Sequence, residues 1–217
     1  MSWLQTNLPL VADLSLQHAR LSAAPIVVGL LASVSLGWFA HRNRAVRLII
    51  LTSFNIAFTI PSLALFVLLP LVLGTRILDD LNVMVAMSLY AIAMMLRGVV
   101  DGFDHLSASV TQSATAMGFS TAGLFWKVQL PLTGPVLLAN LRVVSVGTVS
   151  LVSVGALIGK GGLGYLFTNG FQRDHPTEIM VGIVAVLLLA LVFDLILVLI
   201  GRALLPWTRT LSTVGAR

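Results

Sequence analysis

Residues 159–164, Gly159-Lys160-Gly161-Gly162-Leu163-Gly164, fit the spacing G-x-G-x-x-G. Between a short strand and a helix, that spacing lets backbone N–H groups cradle the pyrophosphate of a dinucleotide. Here the stretch follows a long apolar run and no βαβ pattern surrounds it, so nucleotide binding is not the expected chemistry. The same residues miss a P-loop: Gly155, Gly159 and Lys160 stand one residue too close, and Gly161 replaces the required Ser or Thr. The chain is therefore expected to hold no ATP, Mg or other cofactor itself. His18, His41, His105 and His175 are scattered without an i, i+4 pair or nearby carboxylates, so no metal site is expected. No Ser or Thr has a His and an acid at a recognisable spacing, which leaves hydrolase chemistry without support. What remains is Arg142 and Asp194, two ionisable residues inside otherwise apolar runs.

The elements that carry them follow from composition. Of 217 residues, 58% are hydrophobic and 10% charged, and the mean hydropathy is +1.01, far from a water-soluble domain. The fold class expected is an all-α integral membrane protein of one domain. Apolar runs at about 21–40, 48–73, 81–100, 133–158 and 178–204 are each long enough to cross as a helix, giving about five spans. Span two carries Asn55, Pro61, Ser62 and Pro70, and kinks are expected at its prolines. Arg142 and Asp194 lie nine and ten residues from the inner span ends at about 133 and 204, so both are roughly 14–15 Å deep at 1.5 Å per residue. A mutual ion pair is one solution to a charge at that depth; separate snorkelling or a watery cavity is the other.

The net charge of +5 reads as topology, not as nucleic-acid binding. With the N-terminus outside, Arg42, Arg44, Arg47, Arg97, Lys127, Arg202, Arg209 and Arg217 lie inside, against Arg20, Arg76, Lys160 and Arg173 outside. Positively charged residues favour the cytoplasmic side, so the expectation is N-out, C-in. The absence of cysteine excludes disulfides and thiolate metal sites.

Residues 101–132 then form a cytoplasmic loop, and within it the stretch QSATAMGFSTAGLFWKVQLP (112–131) turns polar. Leu124, Phe125 and Val128 recur at helical spacing, Ser120 is placed to cap that helix, and Gly118 permits a sharp change of direction. Two short helices with a bend at Gly118 are expected, offering Met117, Phe119, Phe125 and Trp126 to the groove of a partner. An interfacial helix resting on lipid is the alternative.

This stretch resembles the signature of permease subunits of type I ABC importers: E-A-A, three residues, G, nine residues, I-x-L-P. The chain reads Gln112-Ser113-Ala114, three residues, Gly118, nine residues, then Val128-Gln129-Leu130-Pro131. Spacing matches throughout; Gln replaces Glu at 112, Ser replaces Ala at 113 and Val replaces Ile at 128. IPSLALF (60–66), MLRGVVDGF (95–103) and ALIGKGGLG (156–164) are similar to segments of the glycine betaine, choline and carnitine permeases of that class. The resemblance implies a coupling helix that docks on an ATPase subunit, with Gln112, Ser113, Ala114, Met117, Gly118, Phe119, Ser120 and Pro131 in that role. It implies two cytoplasmic ATPase subunits that bind ATP and Mg, a second permease subunit, an extracytoplasmic substrate-binding protein, and a prokaryotic cytoplasmic (inner) membrane location among its lipids. Asn55, Ser62, Ser145, Thr148 and Ser153 are the small or polar groups expected along the pathway, although close helix packing also calls for such residues. Cargo of the methionine type is the near alternative; a secondary transporter or channel is the alternative of another class.

Overall fold

The computed structural model describes residues 2–207, so Arg209 and Arg217 of the charge count lie outside the described residues. Within them every regular element is helical. Helix α1 runs Ser2–Arg42, and at 1.5 Å per residue its 41 residues span about 60 Å, twice the hydrocarbon layer. The first span read at about 21–40 is therefore the C-terminal half of a much longer helix, whose other half carries Asp13 and Arg20.

Asn43 separates α1 from α2 (Arg44–Thr59). Its carboxamide oxygen accepts from the N–H groups of Ala45 (2.9 Å) and Val46 (3.2 Å), a side-chain cap that starts the new helix. Helix α2 stops before Pro61, because a residue preceding proline is forced out of the helical region; Ile60 is extended at φ −68°, ψ 127°. Helix α3 (Ser62–Leu73) then leaves at 106° to α2. The second apolar run is thus a broken pair, not one kinked rod. The Tyr90 hydroxyl donates to the carbonyl of Ile60 at the break, and its ring lies edge-on to Phe58 at 5.4 Å.

Helix α4 (Asp80–Asp104) is the central element and packs along α1, against α2 and against α7 (Leu130–Val152), which in turn meets α9 (Pro176–Leu204). Among the described residues, four stretches are long and apolar enough to cross a membrane: Trp3–Arg42, Asp80–Asp104, Thr121–Ile158 and Pro176–Leu204, with the α2–α3 pair a fifth if counted as one span. The α1–α4 seam is made by Gly29, Ser33 and Gly37, four residues apart. A Cβ on Gly29 would stand 2.7 Å from the Ala91 methyl, and one on Gly37 2.5 Å from Val99 Cγ1. Ser33 Oγ donates to Ile92 O at 3.3 Å. Small residues let two helix axes approach where no water drives them together. The most apolar stretch of α9 buries nothing inside the protomer; Leu187, Leu191 and Leu195 face outward, as a lipid-facing helix requires.

The glycine-rich stretch is a structural corner. After α7 a 3-10 turn (Ser153–Ile158) leads to Gly159, left-handed at φ +79°. The chain then folds back so tightly that a Cβ on Gly161 would lie 2.1 Å from Ala156 N, and one on Gly164 2.2 Å from Ser153 O. His18 of α1 is fully buried against this corner. Leu163 N–H donates to His18 Nδ1 (3.2 Å) and His18 Nε2 lies 2.8 Å from Val149 O, which fixes the ring as the neutral tautomer protonated on Nε2. Lys160 Nζ meets Asp80 Oδ1 at 2.8 Å and ties the corner to the start of α4. Helix α8 (Tyr165–Gln172) packs on α9 beyond it.

Candidate functional site

The stretch between α4 and α7 folds as an elbow. Helix α5 (Ala108–Ala116) ends in a left-handed Gly118 at φ +84°. Phe119 N–H donates to Ala114 O (3.3 Å) and Gly118 N–H to Thr115 O (3.0 Å), the paired bonds of a Schellman closure, for which a residue without Cβ is the natural occupant. Ala114, 2% exposed, sits at the carbonyl end of that closure. Ser120 opens α6 (Thr121–Leu124), its Oγ accepting from Gly123 N–H at 3.2 Å. A π-turn over Phe125–Gln129 then joins α7. Pro131 has no N–H for the carbonyl four residues back, and the turn widens so that Leu130 N–H bonds Phe125 O instead.

The elbow presents Met117 at 72% and Trp126 at 65% exposure, with Phe119 half-buried and Gln112, Ser113 and Ser120 exposed. Met117, Phe119, Val110 and Val128 edge a shallow apolar hollow over Ala114. Phe125 departs from expectation: it turns inward and packs between the Trp38 (5.1 Å) and Phe103 (6.1 Å) rings, because the π-turn rotates its side chain toward α1 and α4. Gln129, which sequence reasoning passed over as the variable letter of V-Q-L-P, is 7% exposed and accepts the Trp38 indole N–H at 3.0 Å. The return limb is thus tied to α1. Below it, Asp104 receives His41 Nδ1 at 2.6 Å and the Arg47 guanidinium, joining the ends of α1 and α4 to the start of α2.

Residues 26–210 match the family described as binding-protein-dependent transport system inner membrane component. The chain belongs to this family. Among the relatives of this inner membrane component, the choline transport system permease protein of Bacillus subtilis (strain 168) is 29% identical over 206 residues, 95% of this chain and 94% of that protein. The carnitine transport permease protein of Listeria monocytogenes is 25% identical over 207 residues, 95% and 92% of the two chains. An ergothioneine transport permease/ergothioneine binding protein of Helicobacter pylori (strain G27) is 32% identical over 165 residues, 76% of this chain but 29% of that longer protein. In fold, the inner membrane component is similar to a chain of the MetNI methionine ABC transporter in an inward facing conformation. That likeness has a TM-score of 0.77 at 20% identity and covers 90% of this chain and 95% of that one.

Elsewhere in this inner membrane component, the Arg142 guanidinium grips Asp194 through two bonds, Nε to Oδ1 at 2.6 Å and Nη2 to Oδ2 at 2.8 Å. This is the fork geometry that a planar guanidinium offers a carboxylate. Of the other polar groups singled out, Asn55 is exposed on α2 and Ser62 half-buried at the start of α3. Ser145 and Thr148 are fully buried, on the face of α7 turned toward the protomer core, so no solute reaches them in this conformation. Ser153 is half-buried in the 3-10 turn.

Proposed function

We propose that this chain is the membrane-spanning subunit of an ATP-driven importer for a small osmoprotectant or quaternary amine of the choline, carnitine or betaine type. The observation that carries the reading is the pairing of two facts. Relatives named for choline and carnitine transport match 95% of the chain, and the elbow exposes Met117 beside the Gly118 closure and Trp126 in the π-turn. Such apolar groups need a partner surface, and a cytoplasmic ATPase subunit is the partner proposed for each of two permease subunits. Gln112, Ser113, Ala114, Met117, Gly118, Phe119, Ser120 and Pro131 shape the docking segment. The orientation is N-out, C-in, with a substrate-binding protein on the outer face. ATP and Mg belong to the ATPase; closure of its dimer moves both elbows and swings the spans between inward- and outward-facing states.

Solute passes along the axis between two permease subunits, where Asn55 and Ser62 are the accessible candidates. A cationic ammonium is held by aromatic faces, and recognition of that kind is assigned mainly to the binding protein. The test is co-purification in mild detergent followed by reconstituted uptake. An ATPase subunit and a second permease subunit should come along, and ATP should drive uptake of choline, carnitine or betaine in preference to methionine and ergothioneine. Solute movement by this chain alone, without ATP, would overturn the reading.

A further inference from the structure

On the side of the protomer that carries the elbow, residues 41–47 and 97–132 contain only two carboxylates, Asp101 and Asp104. Both are taken: Arg47 Nη2 lies 3.7 Å from Asp101, and Arg47 and His41 hold Asp104. No acid at all occurs from 105 to 132. The same side carries Arg42, Arg44 and Lys127, exposed and without an ion pair among the described residues. Arg42 differs from the other two in being held. Its guanidinium stacks over the Trp38 ring, 4.8 Å from the centroid, a cation–π placement. Arg42 lines a hollow together with Trp38, His41, Thr111, Thr121, Leu124 and Gln129, so the walls come from α1, α5, α6 and the π-turn. Trp38 is itself fixed by its bond to Gln129. A guanidinium held beside two hydroxyls and an amide, with the neighbouring acid Asp104 already engaged by His41 and Arg47, is a receptor for a planar anion.

We infer that this hollow receives a carboxylate side chain, Asp or Glu, from the ATPase subunit, which pairs with Arg42 and registers the elbow in its cleft. The inference rests on the function proposed above and adds the partner's chemistry to it. The occupant is a protein carboxylate and not a lipid headgroup because four of the six wall residues beside Arg42, namely Thr111, Thr121, Leu124 and Gln129, belong to the elbow segment, which is the docking surface. An acid-free segment flanked by Arg42, Arg44 and Lys127 also calls for an acidic counter-surface.

The experiment measures binding of the cognate ATPase subunit to the full-length permease in phosphatidylcholine nanodiscs over a series of salt concentrations. Arg42→Glu should weaken binding about tenfold or more and Arg42→Gln somewhat less, both with a flatter salt dependence. Arg42→Lys should keep part of the affinity, Arg44→Glu should bind nearly as the parent, and all four should melt like the parent. A Lys substituted for one acid of the ATPase cleft should restore binding to Arg42→Glu alone. If Arg42→Glu binds like the parent while Gly118→Asp does not, the carboxylate assignment falls and the elbow reading stands. If neither weakens binding, the elbow reading falls with it. Equal loss in Arg42→Glu and Arg44→Glu would mean a diffuse field instead of a site. An effect of Arg42 seen only when phosphatidylglycerol is added would give the hollow to lipid. Each of these last two results overturns the inference.

Discussion

Replacing Gly118 separates backbone strain from surface chemistry, because the structure gives two independent facts about that position. Its φ is +84°, a region where an L-residue costs roughly 1–2 kcal/mol. A Cβ built on it meets nothing within 4 Å, so no steric clash within the protomer adds to that figure. Strain of this size lowers the population of the closed elbow about 5–30-fold relative to an opened one, while α4 and α7 keep their packing. Gly118→Ala should therefore show strain alone. Gly118→Asn should show less strain, since Asn visits the left-handed region more readily. Gly118→Asp has the same shape as Asn but projects a charge outward onto whatever docks there. The assay is twofold: the amount of subunit in the membrane, and ATP-dependent uptake with the ATPase subunit co-expressed. All three variants should insert at parent levels. Uptake should fall in the order Asn, Ala, Asp, with Asp abolishing it. Parent-level uptake by Gly118→Asp would refute the docking role of the elbow, and failure of all three to insert would show that the turn serves folding instead.

Two further expectations rest on buried or paired polar groups. His18→Ala orphans the Leu163 N–H and the Val149 carbonyl, at about 1–3 kcal/mol for each buried group left unpaired. A clearly lower melting temperature in detergent is expected, and an unchanged one would show that the corner closes without the imidazole. Reversing Arg142 or Asp194 singly should reduce the amount of folded subunit, and the double reversal Arg142→Asp with Asp194→Arg should recover most of it; independent, additive losses would sink the idea that the two side chains act as a pair.

What the sequence by itself determined was everything set within one segment of chain. The long apolar runs announce spans because a helix must cover a fixed thickness of hydrocarbon, and Gly118, with Ser120 two residues on, announces a turn because left-handed backbone and an N-cap are local demands. That Arg142 and Asp194 could meet was legible from residue count alone, and their two hydrogen bonds show that they do. The tertiary structure decided what lies across from each residue. His18 meets partners 131 and 145 residues away; Phe125 and Gln129 turn inward to Trp38; Ser145 and Thr148 face the protomer core. The 106° break at Pro61 belongs to both levels: proline ends the helix locally, but the direction taken by α3 depends on Tyr90 and the packing of α4. Helical periodicity says which residues share a face, and an apolar face looks the same whether lipid or another helix covers it. Only the close approach allowed by Gly29, Ser33 and Gly37 settles that choice along α1, through side-chain volumes that act between segments and leave no mark on the hydropathy of either.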